Sequence, residues 1–196
     1  MTRLILASAS MSRAGLLEAA GVRFEIQPAR IDEDAVKASL QGDGDARVAE
    51  VLAEMKAQRV STAAPDALVL GADQVLDFGG ELVSKSASLA EARVLLRRLR
   101  GQRHQLIGAA VLAKAGVPVW RHVERARLWM RDFSDAFLED YLARESAAAL
   151  ACVGCYRLEG AGAQLFSKIE GDYFSILGLP LIPLLAALRE HGVIVS

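Results

Sequence analysis

The chain has 196 residues, 53% of them apolar, and a formal net charge of −1, which predicts a single domain of at most two lobes with a sizeable core. No uninterrupted apolar run reaches the roughly 18 to 20 residues that span a bilayer, and the N-terminal apolar segment is too short for a secretory signal, so no membrane partner and a cytoplasmic location are expected. The near-neutral charge excludes a global attraction to a nucleic acid polymer or acidic lipid, so any anion must be held by a local cluster.

Residues 4–7 form a short apolar run that predicts the first strand. Ser8, Ser10 and Ser12 break the run and offer helix caps, and residues 13–20 read as a helix stopped by Gly21. Residues 24–28 alternate as a second strand, and Asp32, Glu33 and Asp34 form an acidic turn into a short helix broken by Gly42-Asp43-Gly44. A helix over 46–61 repeats Val48, Val51, Leu52, Met55 and Val60 at helical spacing. Lys56 lies four residues after Leu52, about 40° around the wheel, at the edge of the buried stripe.

A strand begins after Pro65-Asp66 and carries Asp73 inside the otherwise apolar run 68–76. Gly79-Gly80 signals a hairpin, with residues 81–85 returning. A basic amphipathic helix follows over 89–99, closed by Gly101. Two strands, 104–114 and 117–131, join at Ala115-Gly116; the second alternates Arg125, Arg127, Trp129 and Arg131 against Ala126, Leu128 and Met130. A helix is predicted over 135–144, a strand and turn after Cys155, a tight loop at 160–162 and a last helix over 180–191. Early alternation of strands and helices with hairpins in the middle argues for an α/β fold, a mixed twisted sheet flanked by helices.

Asp73 stands out because a carboxylate in a buried strand is costly unless cations or strong donors meet it. Lys56 on the preceding helix and Lys85 on the returning strand are the candidates to do so. The functional reading is a general base or metal ligand that orients and deprotonates water, and the plain one is a buried ion pair. Ser8, Ser10 and Arg13 place hydroxyls, helix N–H groups and a guanidinium where an anion would be favoured, though ordinary capping accounts for the serines equally well. Glu33 is either helix-start dipole chemistry or a carboxylate that helps hold a divalent cation beside phosphate. Lys85 is either a loop lysine or a phosphate neutraliser.

The histidines at 104, 122 and 191 show no ligand spacing, and Cys152 and Cys155 lack a second pair to complete a zinc site, so they read as ordinary reduced thiols. Neither a phosphate-binding Gly-x-x-x-x-Gly-Lys loop nor a Gly-x-Gly-x-x-Gly turn is present.

The segments taken in order are the 4–10 run with Arg13, Phe24-Glu25, Asp32-Glu33, Lys56-Ala57 and Gly71-Ala-Asp-Gln74. They continue with Lys85, Gly101-x-x-His104, Glu159-Gly160, Ile169-Glu-Gly-Asp-Tyr173 and Leu177-Gly-Leu-Pro-Leu181. Together they resemble the Maf family of nucleoside triphosphate pyrophosphatases over nearly the whole chain. The resemblance implies hydrolysis of the α–β phosphate bond to a monophosphate and pyrophosphate, a cleft between two lobes, a divalent metal (Mg²⁺, Mn²⁺ or Co²⁺) and, in many members, a homodimer. It implies Asp73 as the proton acceptor, Ser8, Ser10, Arg13, Lys56 and Lys85 as substrate-binding residues, and Glu33 with Asp73 at the metal.

Two departures stand out: Met11-Ser12 where the family often has Pro-Arg or Pro-Trp, and Ser84-Lys-Ser86 where it usually has Gly-Lys-Pro. Ser12, Gln74 and Glu159 occupy the positions that the resemblance links to substrate choice. Gln74 with Glu159, and the run Cys155-Tyr-Arg-Leu-Glu-Gly160, are similar to the branch acting on 7-methyl-GTP; Ser12 does not match that branch's tryptophan. The alternatives are the dTTP/UTP branch, a binding module that holds nucleotide and regulates cell division without turnover, and a structural protein with buried ion pairs.

Overall fold

Apolar β-rich runs separated by capped helices give the chain its sheet. The structure, a computed structural model, describes residues 2–40, 42 and 44–195. In chain order the strands are β1 (Leu4–Leu6), β2 (Glu25–Ile26), β3 (Leu68–Phe78), β4 (Glu81–Val83), β5 (Arg103–Lys114), β6 (Val117–Met130) and β7 (Phe166–Glu170). The helices are α1 (Met11–Ala19), α2 (Glu33–Ser39), α3 (Asp45–Ala63), α4 (Leu89–Leu99), α5 (Asp135–Leu150), α6 (Tyr173–Ile176) and α7 (Leu181–Glu190). Among the described residues the strands run in the order β2-β1-β3-β5-β6-β7, with β4 beside β3. β1 is parallel to β2 and β3, while β3–β4 and β6–β7 are antiparallel, so the sheet is mixed.

The chain divides into two compact units. The first holds Met1–Gln74, Gly108–Glu124 and Tyr173–Ser196. Its strands are apolar on both faces, as parallel strands covered by helices must be. Leu4, Leu6, Leu68, Leu70 and Ala72 point to one face, where they pack with Leu17 of α1 and Leu184 and Leu188 of α7. Ile5, Ala7 and Val69 point to the other, against Val60 of α3. The pairs Ile5↔Val69 and Leu6↔Leu70 fix the register that keeps these faces apart.

On the α3 face the helix comes unusually close to the sheet at Gly71. A Cβ there would lie 2.1 Å from the Ala53 carbonyl oxygen and 2.6 Å from the Ala57 nitrogen. The absence of a side chain lets helix and strand backbones touch.

The second unit holds Val75–Ile107 and Arg125–Asp172. Gly79 and Gly80 take φ of 67° and 88°, which the two-residue turn between β3 and β4 requires. Ser88 caps α4 by accepting from the Glu91 N–H at 3.2 Å, and the Glu91 carboxylate accepts from the Ala87 N–H at 2.8 Å. Ala126, Leu128 and Met130 are buried along β6, as the alternation predicts. His104 and Tyr156 are buried beside the half-buried Phe166; the Tyr156 and Phe166 rings meet edge-on at 4.9 Å.

Several boundaries differ from the sequence reading. α1 begins at Met11 rather than 13, because Ser10 is the residue with extended backbone that caps it. β4 ends at Val83, which leaves Lys85 in a loop rather than on the strand. The strand expected after Cys155 is absent from the described residues. Cys155 has φ of 56°, and its carbonyl accepts from the Tyr141 hydroxyl at 3.0 Å, so the backbone turns and its acceptor is taken. α5 runs on past 144 to Leu150 through a break at Ser146. β7 and α6 carry little apolar periodicity and were not anticipated. Of the predicted break at 42–44, Asp43 lies outside the described residues.

Candidate active site

β3 alternates, so Gly71 and Asp73 face α3 while Ala72 and Gln74 face the opposite side. Gly71 sets the helix against the strand, and Lys56 lies on the buried stripe of α3 with Leu52, Ala53 and Val60. The result is a direct contact: Lys56 Nζ lies 2.6 Å from Asp73 Oδ1. Both side chains are 8% exposed. Lys56 was expected at the edge of the stripe and is in fact inside it.

Glu33, the first residue of α2, brings Oε1 to 2.7 Å from the same Nζ. Asp32 caps α2 by accepting from the Ala35 N–H at 3.0 Å, which aims the first helical turn. One buried ammonium therefore gathers two carboxylates from two elements.

Arg13 lies on the third helical position of α1. Its Nε donates to the Gly178 carbonyl and its Nη1 to Ser8 Oγ, each at 3.1 Å. Ser10 Oγ accepts from the Arg13 N–H at 3.4 Å, so it caps the helix, and Ser8 Oγ accepts from the Ser10 N–H at 3.2 Å. Burial lowers the guanidinium pKa from its ordinary value, and the charges of Asp73 and Glu33 oppose that fall. Ser8, Ser10, Arg13, Glu33, Lys56 and Asp73 are thus one constellation, all in the first unit. Ser12 is half-buried in the first turn of α1. Gln74 sends its amide to the carbonyls of Ser175 and Ile176, at 2.8 and 3.2 Å.

Lys85 and Glu159 belong to the second unit. Lys85 is exposed and, among the described residues, makes no ion pair. Glu159 Oε1 accepts from Arg157 Nε at 3.2 Å, and Arg157 Nη1 also lies 3.5 Å from Glu145 Oε2. Cys152 and Cys155 are unlinked thiols, and burial pushes both thiol pKa values up. The Cys155 thiol lies 3.2 Å from Ser86 Oγ. His104 Nε2 lies 2.8 Å from the Tyr156 hydroxyl.

Glu33 and Asp73 fit a divalent cation in one way and not in another. The point on which Glu33 Oε1 and Asp73 Oδ1 converge holds the Lys56 ammonium, so a magnesium-like ion would have to use carboxylate oxygens that Lys56 does not hold and take its other ligands from water and phosphate. Among the described residues no group of three or more His, Cys, Asp or Glu side chains forms an all-protein cage. Among the described residues no helix is long and apolar enough to cross a membrane.

The sequence reading missed the anchor of this site, the turn after α6. Its signal was present as Leu177-Gly-Leu-Pro-Leu181, which the resemblance included without a role. Arg157, the partner of Glu159, also went unremarked, because nothing in its spacing ties it to that acid more than to others.

Comparison with known proteins adds to this geometry. The family described as Maf-like protein matches residues 3–191. A protein of Granulibacter bethesdensis is 51% identical over 191 residues, covering 96% of this chain and 97% of that one. One from Caulobacter vibrioides is 53% identical over 194 residues, covering 98% and 97%. A third, from Maricaulis maris, is 48% identical over 194 residues, covering 99% of each. All three bear the name nucleoside triphosphate pyrophosphatase. With a match across nearly its full length and half of its residues shared with such relatives, the chain belongs to the Maf-like protein family.

Proposed function

We propose that this pyrophosphatase hydrolyses the bond between the α and β phosphates of a nucleoside triphosphate, releasing a monophosphate and pyrophosphate. The observation that carries the reading is the single ammonium of Lys56 held between Asp73 and Glu33, at 2.6 and 2.7 Å. Lys56 holds Asp73 through Oδ1, so that Oδ2 serves as the acceptor for a proton from the attacking water. Arg13 spends two of its five N–H donors on Gly178 and Ser8 and keeps three for phosphate oxygens. Lys56 supplies the further positive charge that offsets the leaving pyrophosphate.

Glu33 and Asp73 are the residues that would hold a divalent cation (Mg²⁺, Mn²⁺ or Co²⁺). Bound there, the ion supplies Lewis-acid charge to the phosphate oxygens.

The finer proposal is a 7-methyl-GTP-like substrate. It rests on Gln74 and Glu159 together, and on the carboxylate of Glu159 as a partner for a positively charged methylated base. The test is pyrophosphate release by the wild-type chain and by Asp73→Asn across ordinary and methylated triphosphates. A fall of at least about a hundredfold in Asp73→Asn supports the reading, on the scale of a lost general base. Turnover within a few fold of wild type overturns it. Preferred hydrolysis of dTTP or UTP overturns the finer proposal alone, and tight binding without turnover makes the chain a nucleotide-binding module.

A further inference from the structure

α6 is only one turn long, and the segment after it meets three of its carbonyls: Leu177 N–H donates to Tyr173 O at 3.2 Å, Leu179 N–H to Phe174 O at 3.2 Å and Gly178 N–H to Ser175 O at 3.1 Å. Gln74 adds a second donor to Ser175 O and supplies one to Ile176 O. Both atoms its amide meets are carbonyl oxygens, Ser175 O at 2.8 Å and Ile176 O at 3.2 Å, so the NH₂ end must point at them. That spends the donors of Gln74 on backbone and leaves only Oε1, an acceptor, for any ligand. Two residues on, the same turn offers the Gly178 carbonyl to Arg13 Nε at 3.1 Å. Gly178 has φ of 116°, and a Cβ there would lie 3.4 Å from Arg13 Nε and 3.5 Å from its Cγ. One turn, residues 175–178, therefore grips the neighbour of Asp73 on one side and the guanidinium of Arg13 on the other. All of these residues belong to the first unit.

We infer that this turn is a positioning device for the reaction and that Gln74 is a positioning residue, whose amide donors go to the backbone and not to the base. The inference rests on the roles proposed above for Asp73 and Arg13. Gln74 follows Asp73 directly, so clamping its side chain on one face of β3 fixes the pleat that presents Asp73 on the other. The Gly178 carbonyl fixes the plane of the Arg13 fork, and hence the direction of its remaining N–H groups.

The experiment uses the full chain with Gln74→Met, which keeps the length and removes both donors, and Gly178→Ala. For Gln74→Met the expected result is a fall in kcat of about tenfold or more on every triphosphate tried, since displacing a reacting group by about 1 Å costs on the order of a hundredfold. The ratios of kcat/KM among 7-methyl-GTP, GTP, dTTP and UTP stay within about twofold of wild type, because the donors removed face the Ser175 and Ile176 carbonyls and not the base. A tenfold change in those ratios, or an unchanged kcat, overturns the inference.

For Gly178→Ala the expected result is a severalfold higher KM that disappears in an Arg13→Ala background, because the glycine acts through the arginine. Equal increments in both backgrounds overturn it. A loss of general folding would lower the active fraction and leave KM alone, so the two effects separate. If one variant does not fold, judged by circular dichroism and its melting temperature, the other decides. Failure of the underlying reading looks different: there Asp73→Asn and Arg13→Ala themselves leave turnover and KM unchanged.

Discussion

Lys56 and Asp73 meet at 2.6 Å across 17 residues of sequence, with the ammonium and the carboxylate both nearly removed from solvent. Such a pair is poor evidence of stability by itself, because desolvation of both charges opposes their attraction. Its worth lies in geometry: it fixes one oxygen of Asp73 and gathers Glu33 onto the same point. The energetic consequences of disturbing it are correspondingly lopsided.

Lys56→Met is expected to cost about 3 to 5 kcal/mol in urea denaturation, because it leaves Asp73 as an uncompensated buried charge. Adding Asp73→Leu should recover much of that loss by restoring an apolar contact, while activity stays absent. Recovery of activity along with stability would show that the pair is structural only.

Gly71→Ala is expected to lower both the melting temperature and turnover. The new Cβ would press on the Ala53 carbonyl from 2.1 Å, so α3 must shift outward and carry Lys56 with it. Overpacking of this kind costs about 1 to 3 kcal/mol, read by thermal or urea unfolding. A variant with wild-type stability and kcat would show that the helix can give way without moving the lysine.

His104 makes stability depend on pH. Burial lowers its pKa from the ordinary 6.5 to about 4. The unfolded chain therefore binds a proton there between those values while the folded chain does not. The contribution is whole above about pH 6.5, falls as pH drops towards about 4, and levels off below, with a total of about 3 kcal/mol. His104→Gln can still hydrogen-bond the Tyr156 hydroxyl but does not titrate, so its unfolding free energy should be flatter over that window. A slope equal to wild type would assign the dependence to other groups.

Glu33→Gln is expected to weaken the binding of Mn²⁺ in the presence of a non-hydrolysable nucleotide by about tenfold, measured by calorimetry, while the fold is unchanged; the scale is that of losing one of two carboxylates. Chelation of divalent ions should abolish turnover in the wild type and lower the melting temperature gained on adding nucleotide. Unchanged ion affinity in the variant would remove Glu33 from the site.

Much of the site was legible in the sequence because it follows from parity and period. Asp73 sits two residues from Gly71 and four from Val69, so it must share their face of β3, and Lys56 falls within reach of that face by its place on α3. The fold class followed from the early alternation of strands and helices. What stayed hidden was tertiary. Ser175 to Gly178 has no periodic signal, and its role lies in backbone carbonyls, which every residue has. The turn after Cys155 was read as a strand because Tyr156, Arg157 and Leu158 suit one, but the positive φ at Cys155 and the hydroxyl of Tyr141 outweigh that local preference. Gln74 was tied to substrate choice by the resemblance alone, and its bonds to the Ser175 and Ile176 carbonyls have no signal in the sequence.

Gly71 has no functional group, yet it meters the gap across which an amine reaches an acid. In a saturation-mutagenesis screen scored by growth or turnover, this inert position should tolerate as little as the reactive one two residues further on, and the two could be told apart only by asking whether a second change that slims α3 at Ala53 or Ala57 restores the first.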